Sequence, residues 1–184
     1  MTETTSAAVE VGARPQQNRM TIFRREHAVR MSETDAMSAP DFPQSVAETL
    51  SPDDIALLEG GDDIHVLFRQ AGDDGFSLVN VWFAPDYILP RHTHNVDCTY
   101  YVVAGEIILG NQVIRAGEGF FVPAEHPYGY QAGPEGVELL EFRHSASFNI
   151  KIVDDKKSKW EEILAVASSH QDVWAAAERP RQTT

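Results

Sequence analysis

The chain has 184 residues, 42% of them hydrophobic and 23% charged, which suits one packed domain and excludes a wholly disordered or fibrous chain. A formal net charge of −13 with scattered basic residues argues against nucleic acid, whose phosphates need a basic face. No apolar run is long enough to cross a membrane, and residues 1–17 lack the basic start and apolar core of a secretory leader, so no membrane partner and a cytoplasmic location are expected.

Residues 1–43 are polar and read as an arm, partly disordered or dimer-contacting, in which residues 22–25 offer an added edge strand. Residues 32–65 hold nine acids and no Lys or Arg, the pattern of a solvated segment. Ser51-Pro52-Asp53-Asp54 is a helix start: a capping hydroxyl, a proline at the first position, and acids at the positive end of the dipole. Gly60-Gly61 ends that helix.

From there a barrel is expected over 44–153, with the short helix leading it. Strands are predicted at 64–70, 76–84, 98–104, 106–109, 112–115, 119–123, 128–132, 136–143 and 147–153, from β-branched and aromatic runs between turn residues. Gly110-Asn111 suits a two-residue hairpin. Trp82, Phe83, Phe120 and Phe121 are assigned to the barrel core. Many short strands without intervening helices mean a sandwich or barrel. Residues 154–184 read as helical: a capping box at Ser158–Glu161, then Trp160, Ile163, Leu164, Ala167 and Trp174 at helical spacing. That stripe suits packing on the outside of the barrel or contact with a second copy, and Ser168-Ser169 is a place where the helix could divide.

The chemistry concentrates at 90–106. His92 and His94 are two apart in a strand, so both imidazoles point the same way and form a pincer for a metal. Cys98 is the only cysteine, so no intrachain disulfide is possible. Arg69, Arg91 and Arg143 could clamp an anionic oxygen, though each reads individually as a surface or rim residue. His144 could approach the barrel mouth, while His65 and His170 read as structural or surface residues and His27 lies in the polar arm.

His92-Thr93-His94, followed by Cys98 and Gly105, resembles the first motif of the cupin superfamily. Gly117-Glu-Gly-Phe-Phe-Val-Pro123, running on to Tyr128, resembles the second. The resemblance covers roughly residues 64–145 and implies an all-β fold, a single cupin double-stranded β-helix (jelly-roll barrel) with short N-terminal and C-terminal helices. Departures stand at three places. Asp86 replaces the usual glycine before the first histidine, Cys98 the usual carboxylate and Tyr128 the usual third histidine. Three completions of the pincer therefore stay open: His126, two residues before the expected place; Cys98 as thiolate; or Asp97 across a bulge, which strand parity disfavours.

Within the superfamily the chain looks most similar to dihydroxyacetophenone and acetylacetone dioxygenases. That likeness implies one divalent metal ion, Fe(II) first with Zn, Ni or Mn as alternatives, held by His92, His94 and His126. Tyr128, Tyr130 and Cys98 would then act on a small ketone- or diketone-type substrate. A non-catalytic ligand-binding cupin and a metal-dependent isomerase or lyase are the competing expectations, because the fold hosts many functions. A homodimer is also expected.

Overall fold

The computed structural model describes residues 20–70, 72 and 75–179. Residues 1–19 of the expected arm and the last five of the expected C-terminal segment lie outside them. Alternating burial along the strands sets the architecture. Cys98, Tyr100, Val102 and Ala104 face inward while Thr99 and Tyr101 face out.

The strands are β1 (Val29–Arg30), β2 (Asp62–Arg69), β3 (Ser77–Phe83), β4 (Ile88–Thr93), β5 (Cys98–Leu109), β6 (Gln112–Arg115), β7 (Gly119–Val122), β8 (Tyr128–Arg143) and β9 (Lys151–Ile152). They pair antiparallel in the order β1-β2-β3-β8-β4-β9, and β5 joins β6, β7 and β8. The spine is β8. Its first half pairs with β4, and its second half lies between β3 and β5. This closed, all-β arrangement leaves a core of Val79, Val81, Tyr100, Val102, Ile107, Val137 and Leu139 inside the barrel.

Several expectations need correction. The runs at 98–104 and 106–109 form one strand, as do those at 128–132 and 136–143. Gly105 and Gly136, both at positive φ, let β5 and β8 cross so closely that a Cβ on Gly105 would collide with the Gly136 carbonyl. The strand expected at 147–153 shrinks to two residues, and β4, expected only as the strand position of His92 and His94 without bounds, runs over Ile88–Thr93. Residues 22–25 are not the added edge strand. That place is taken by β1, with a short 3-10 turn at Arg25–His27 before it. Phe121 is 59% exposed because it adjoins Phe120 in β7, and neighbours in a strand face opposite ways.

Among the described residues three α-helices flank the barrel: α1 (Gln44–Ala47), α2 (Pro52–Glu59) and α3 (Lys157–Ala176). The capping box at the start of α2 forms between Ser51 and Asp54. At α3 the expected box is absent. The helix starts at Lys157 without a side-chain cap and runs through Ser168-Ser169 unbroken. Its buried stripe of Trp160, Ile163, Ala167 and Trp174 covers the outside of the barrel. Trp160 and Ile163 join Val46, Ile88 and Ile152 in a second apolar cluster. Trp174 donates from Nε1 to the Pro85 carbonyl (2.8 Å). None of the described helices is long and apolar enough to cross a membrane.

Candidate active site

A register shift in β4 between Leu89 and His92 turns the strand so that His92 faces inward opposite Tyr128, and His94 follows on the same side. His92 is 2% and His94 6% exposed, with ring centroids 4.8 Å apart. His92 Nδ1 lies 2.9 Å from the Pro90 carbonyl, and His94 Nδ1 contacts the Asn149 carbonyl. A carbonyl only accepts, so both rings carry their proton on Nδ1, and each Nε2 keeps a lone pair directed away from those backbone contacts. Burial lowers the pKa of each histidine to about 4. Repulsion from its neighbour, His94 for His92 and Arg143 for His94, adds to the effect, so both rings are neutral at pH 7.

β8 supplies the other half of the interior. Tyr128 and Tyr130 lead in, and Glu141 and Arg143 end the strand on the same inward face. Arg143 is 1% exposed, which corrects its reading as a surface or rim residue. Its Nη2 donates to Glu141 Oε2 (2.7 Å), to Tyr100 Oη (3.3 Å) and toward His94 Nε2 (3.5 Å). Burial works against its charge, but the Glu141 carboxylate outweighs it and holds the guanidinium firmly protonated. The Phe148 ring covers the guanidinium at 3.9 Å. The Tyr100 and Tyr128 hydroxyls bond each other, and burial pushes both phenols well above their ordinary pKa.

Cys98 is buried beside this group, and desolvation followed by the nearby Glu141 charge pushes its thiol up to about 12. It is therefore a thiol at neutral pH, not a thiolate. Asp97 points out, and its Oδ1 accepts from the Ala124 backbone amide (2.8 Å). His126 is exposed in the turn after Pro123, so the structure does not bring it to His92 and His94. Arg91 is exposed, while Arg69 bonds Asp35 and the Ala146 carbonyl. His144 stacks on Phe76 outside the barrel, with centroids 4.8 Å apart. Sequence reasoning missed Glu141 altogether.

A metal fits this arrangement poorly. No group of three or more His, Cys, Asp or Glu side chains among the described residues could hold an ion. Among the described residues the inward carboxylate near the histidines is Glu141, already bonded to Arg143, and a guanidinium faces His94 Nε2 where a cation would have to sit.

No protein-family model and no curated protein matches the sequence. Similar solved structures include the polyketide cyclase RemF from Streptomyces resistomycificus, at 21% identity over 55% of this chain and 77% of that chain, with a TM-score of 0.46. An RmlC-like cupin from Shewanella frigidimarina is 26% identical over 48% of this chain and 78% of its own, with a TM-score of 0.41. KdgF from Halomonas sp. is 22% identical over 45% and 80%, with a TM-score of 0.39. These overlaps are partial. The spine strand β8 and its antiparallel neighbours form an all-β barrel, as the cupin resemblance implies, with His92 near the end of β4 and His94 just after it facing the interior.

Proposed function

We propose that this barrel is an enzyme that moves protons on an enolisable ketone- or diketone-type molecule, with the chain's own side chains and no metal. The observation behind this reading is the convergence of two neutral imidazoles, a phenol pair and one fixed guanidinium in the buried interior of the barrel. His92 Nε2 accepts a proton from the carbon beside a carbonyl. As charge moves to the carbonyl oxygen, a phenol hydrogen-bonds to it and Arg143 stabilises it electrostatically, in a low-dielectric site where such contacts are strong; the proton on His92 then passes to that oxygen, giving the enol and restoring the neutral base. A base held near pKa 4 suits molecules already acidic at carbon, such as 1,3-dicarbonyls. Tyr100 or Tyr128 can donate because neither phenol ionises near neutral pH.

The test is keto–enol interconversion of acetylacetone, followed by ultraviolet absorbance after exhaustive chelation. Chelated wild type is expected to accelerate it, and His92→Ala to lose about 100-fold. Activity that vanishes on chelation and returns with Fe(II) would overturn the reading.

A second reading, the iron dioxygenase implied by the resemblance, draws support from the histidine tautomers, since a metal on Nε2 requires the proton on Nδ1. It would need Glu141 to leave Arg143 and the guanidinium to withdraw from His94. Elemental analysis together with O₂ uptake tests it. The expected homodimer is supported by exposed aromatics on the outer face of β5, β7 and β8. Phe121 and Phe142 both lie opposite Thr99, and Tyr101 stands beside them. Light scattering tests it.

A further inference from the structure

Resting on that acid–base reading, we propose that the molecule bound in the barrel carries a carboxylate, that the carboxylate pairs with Arg143, and that it enters through the recess walled by Phe148.

The interior holds several hydrogen-bond donors that have no partner. Arg143 uses Nη2 three times over, yet its buried Nε and Nη1 have no partner among the described residues. The same is true of the buried Tyr130 hydroxyl and of Ser77 Oγ, which lies on the strand residue directly opposite Arg143. Tyr100 and Tyr128 own two phenol protons and share one bond, so one proton is left over whichever way that bond runs. Each buried donor without a partner destabilises a fold by about 1–3 kcal/mol, so such a cluster points to a group that completes it. What would complete it is a compact set of acceptor oxygens. A negative charge fits best, because a single carboxylate, Glu141, faces a guanidinium that still has two nitrogens to offer. A neutral ketone supplies an oxygen but no charge.

The route is visible on the outside. A recess of about 460 Å³ is lined by Ser38, Asn95, Phe148, Asn149 and their neighbours. Phe148 forms its inner wall, with the Arg143 guanidinium directly behind the ring and His94 edge-on at 5.4 Å. Asp35 also borders the recess, but Arg69 pairs with it, so the rim does not repel an anion through an uncompensated charge. Rotation of one aromatic side chain would connect the recess to the guanidinium.

Binding, rather than turnover, separates this inference from the reading beneath it. Calorimetric titration of the whole chain with benzoylacetate and with benzoylacetamide compares one skeleton with and without the charge. The acid is expected to bind at least about tenfold tighter, a difference of about 1.4 kcal/mol. The double variant Glu141→Gln/Arg143→Gln keeps a neutral pair in place and should erase the preference. Ser38→Trp, at an exposed position on the rim, should slow association of the acid without lowering the melting temperature. Equal binding of acid and amide, binding of neither, or a preference that survives the double variant would overturn the carboxylate. Unchanged association in Ser38→Trp would overturn the route. Tight binding of the acid without any keto–enol catalysis would remove the acid–base reading and leave this one standing.

Discussion

The sheet of β2, β3 and β8 carries an acid–arginine cluster on each face, and water separates their roles. On the outer face Glu138 Oε1 accepts from Arg25 Nη1 (2.7 Å), Asn80 Nδ2 (3.1 Å) and Arg179 Nη1 (3.5 Å). Arg179 also holds Asp63. These arginines come from segments flanking the barrel and stay wet, Arg25 with 48% and Arg179 with 27% of its side chain exposed. On the inner face Glu141 meets Arg143, whose side chain is 1% exposed. The same pairing thus fastens chain segments outside and makes a dry, charged socket inside. An exposed pair contributes little because water and salt screen it, while a buried one depends on its partner for its existence.

Breaking the inner pair should have the largest effect. Arg143→Met strands the Glu141 carboxylate, and equilibrium denaturation should show a loss of about 3–5 kcal/mol. Glu141→Gln/Arg143→Met should recover much of it. A single variant no worse than the double would erase the contrast between the faces. Glu138→Ala on the outer face should lose about 1–2 kcal/mol, because Asn80 loses one acceptor but keeps the Leu139 carbonyl. A loss as large as that of Arg143→Met would mean that the outer cluster is equally closed to water. Tyr128→Phe should lose about 1 kcal/mol of stability while abolishing most keto–enol catalysis, a split that mere packing would not produce.

The smallest effect sharpens the comparison within β2, where Asp63 pairs with Arg30 and Arg179 while its neighbour Asp62 feels only a minor pull from Arg30. Burial, then repulsion from Glu59, lifts the Asp62 carboxyl to about 7. A folded pKa above the unfolded value of about 3.9 means that its contribution is complete below that pH and is lost as pH rises through 7. Asp62→Asn should therefore raise the melting temperature above pH 7 by roughly 2–4 °C and flatten its decline between pH 4 and 7. A variant equal to wild type at pH 8 would contradict the assignment.

Much of this was legible in the sequence. Strand parity placed His92 and His94 on one wall and Asp97 off it, and turn chemistry placed the Gly110 hairpin. Parity applied to Gly119–Val122 would also have turned one of two adjacent phenylalanines outward. Arg143 was harder. Val137, Leu139, Glu141 and Arg143 share a face, but Leu140 and Phe142 make the opposite face apolar too, so the pattern alone did not say which face was inside. The bounds of β4 escaped because Pro90 and Arg91 interrupt its apolar run. His126 sits in a turn where no periodicity dictates direction. The segment from β1 to Asp41 has no strand pattern at all, yet Met31 and Ala36 are buried and the segment forms part of the barrel wall.

That wall segment bears on the order of assembly. Met37 bridges to Phe148 and Asp41 to Lys151 in parallel, and the Phe148 amide bonds the Ala36 carbonyl. The ring of backbone around Arg143 and His94 is thus closed by residues that precede every long strand in the chain and residues that follow them all. Joining such distant stretches forfeits more chain entropy than pairing a hairpin, so they are expected to dock late, onto strands already paired. The mouth is accordingly expected to form late and to open early when the fold is stressed.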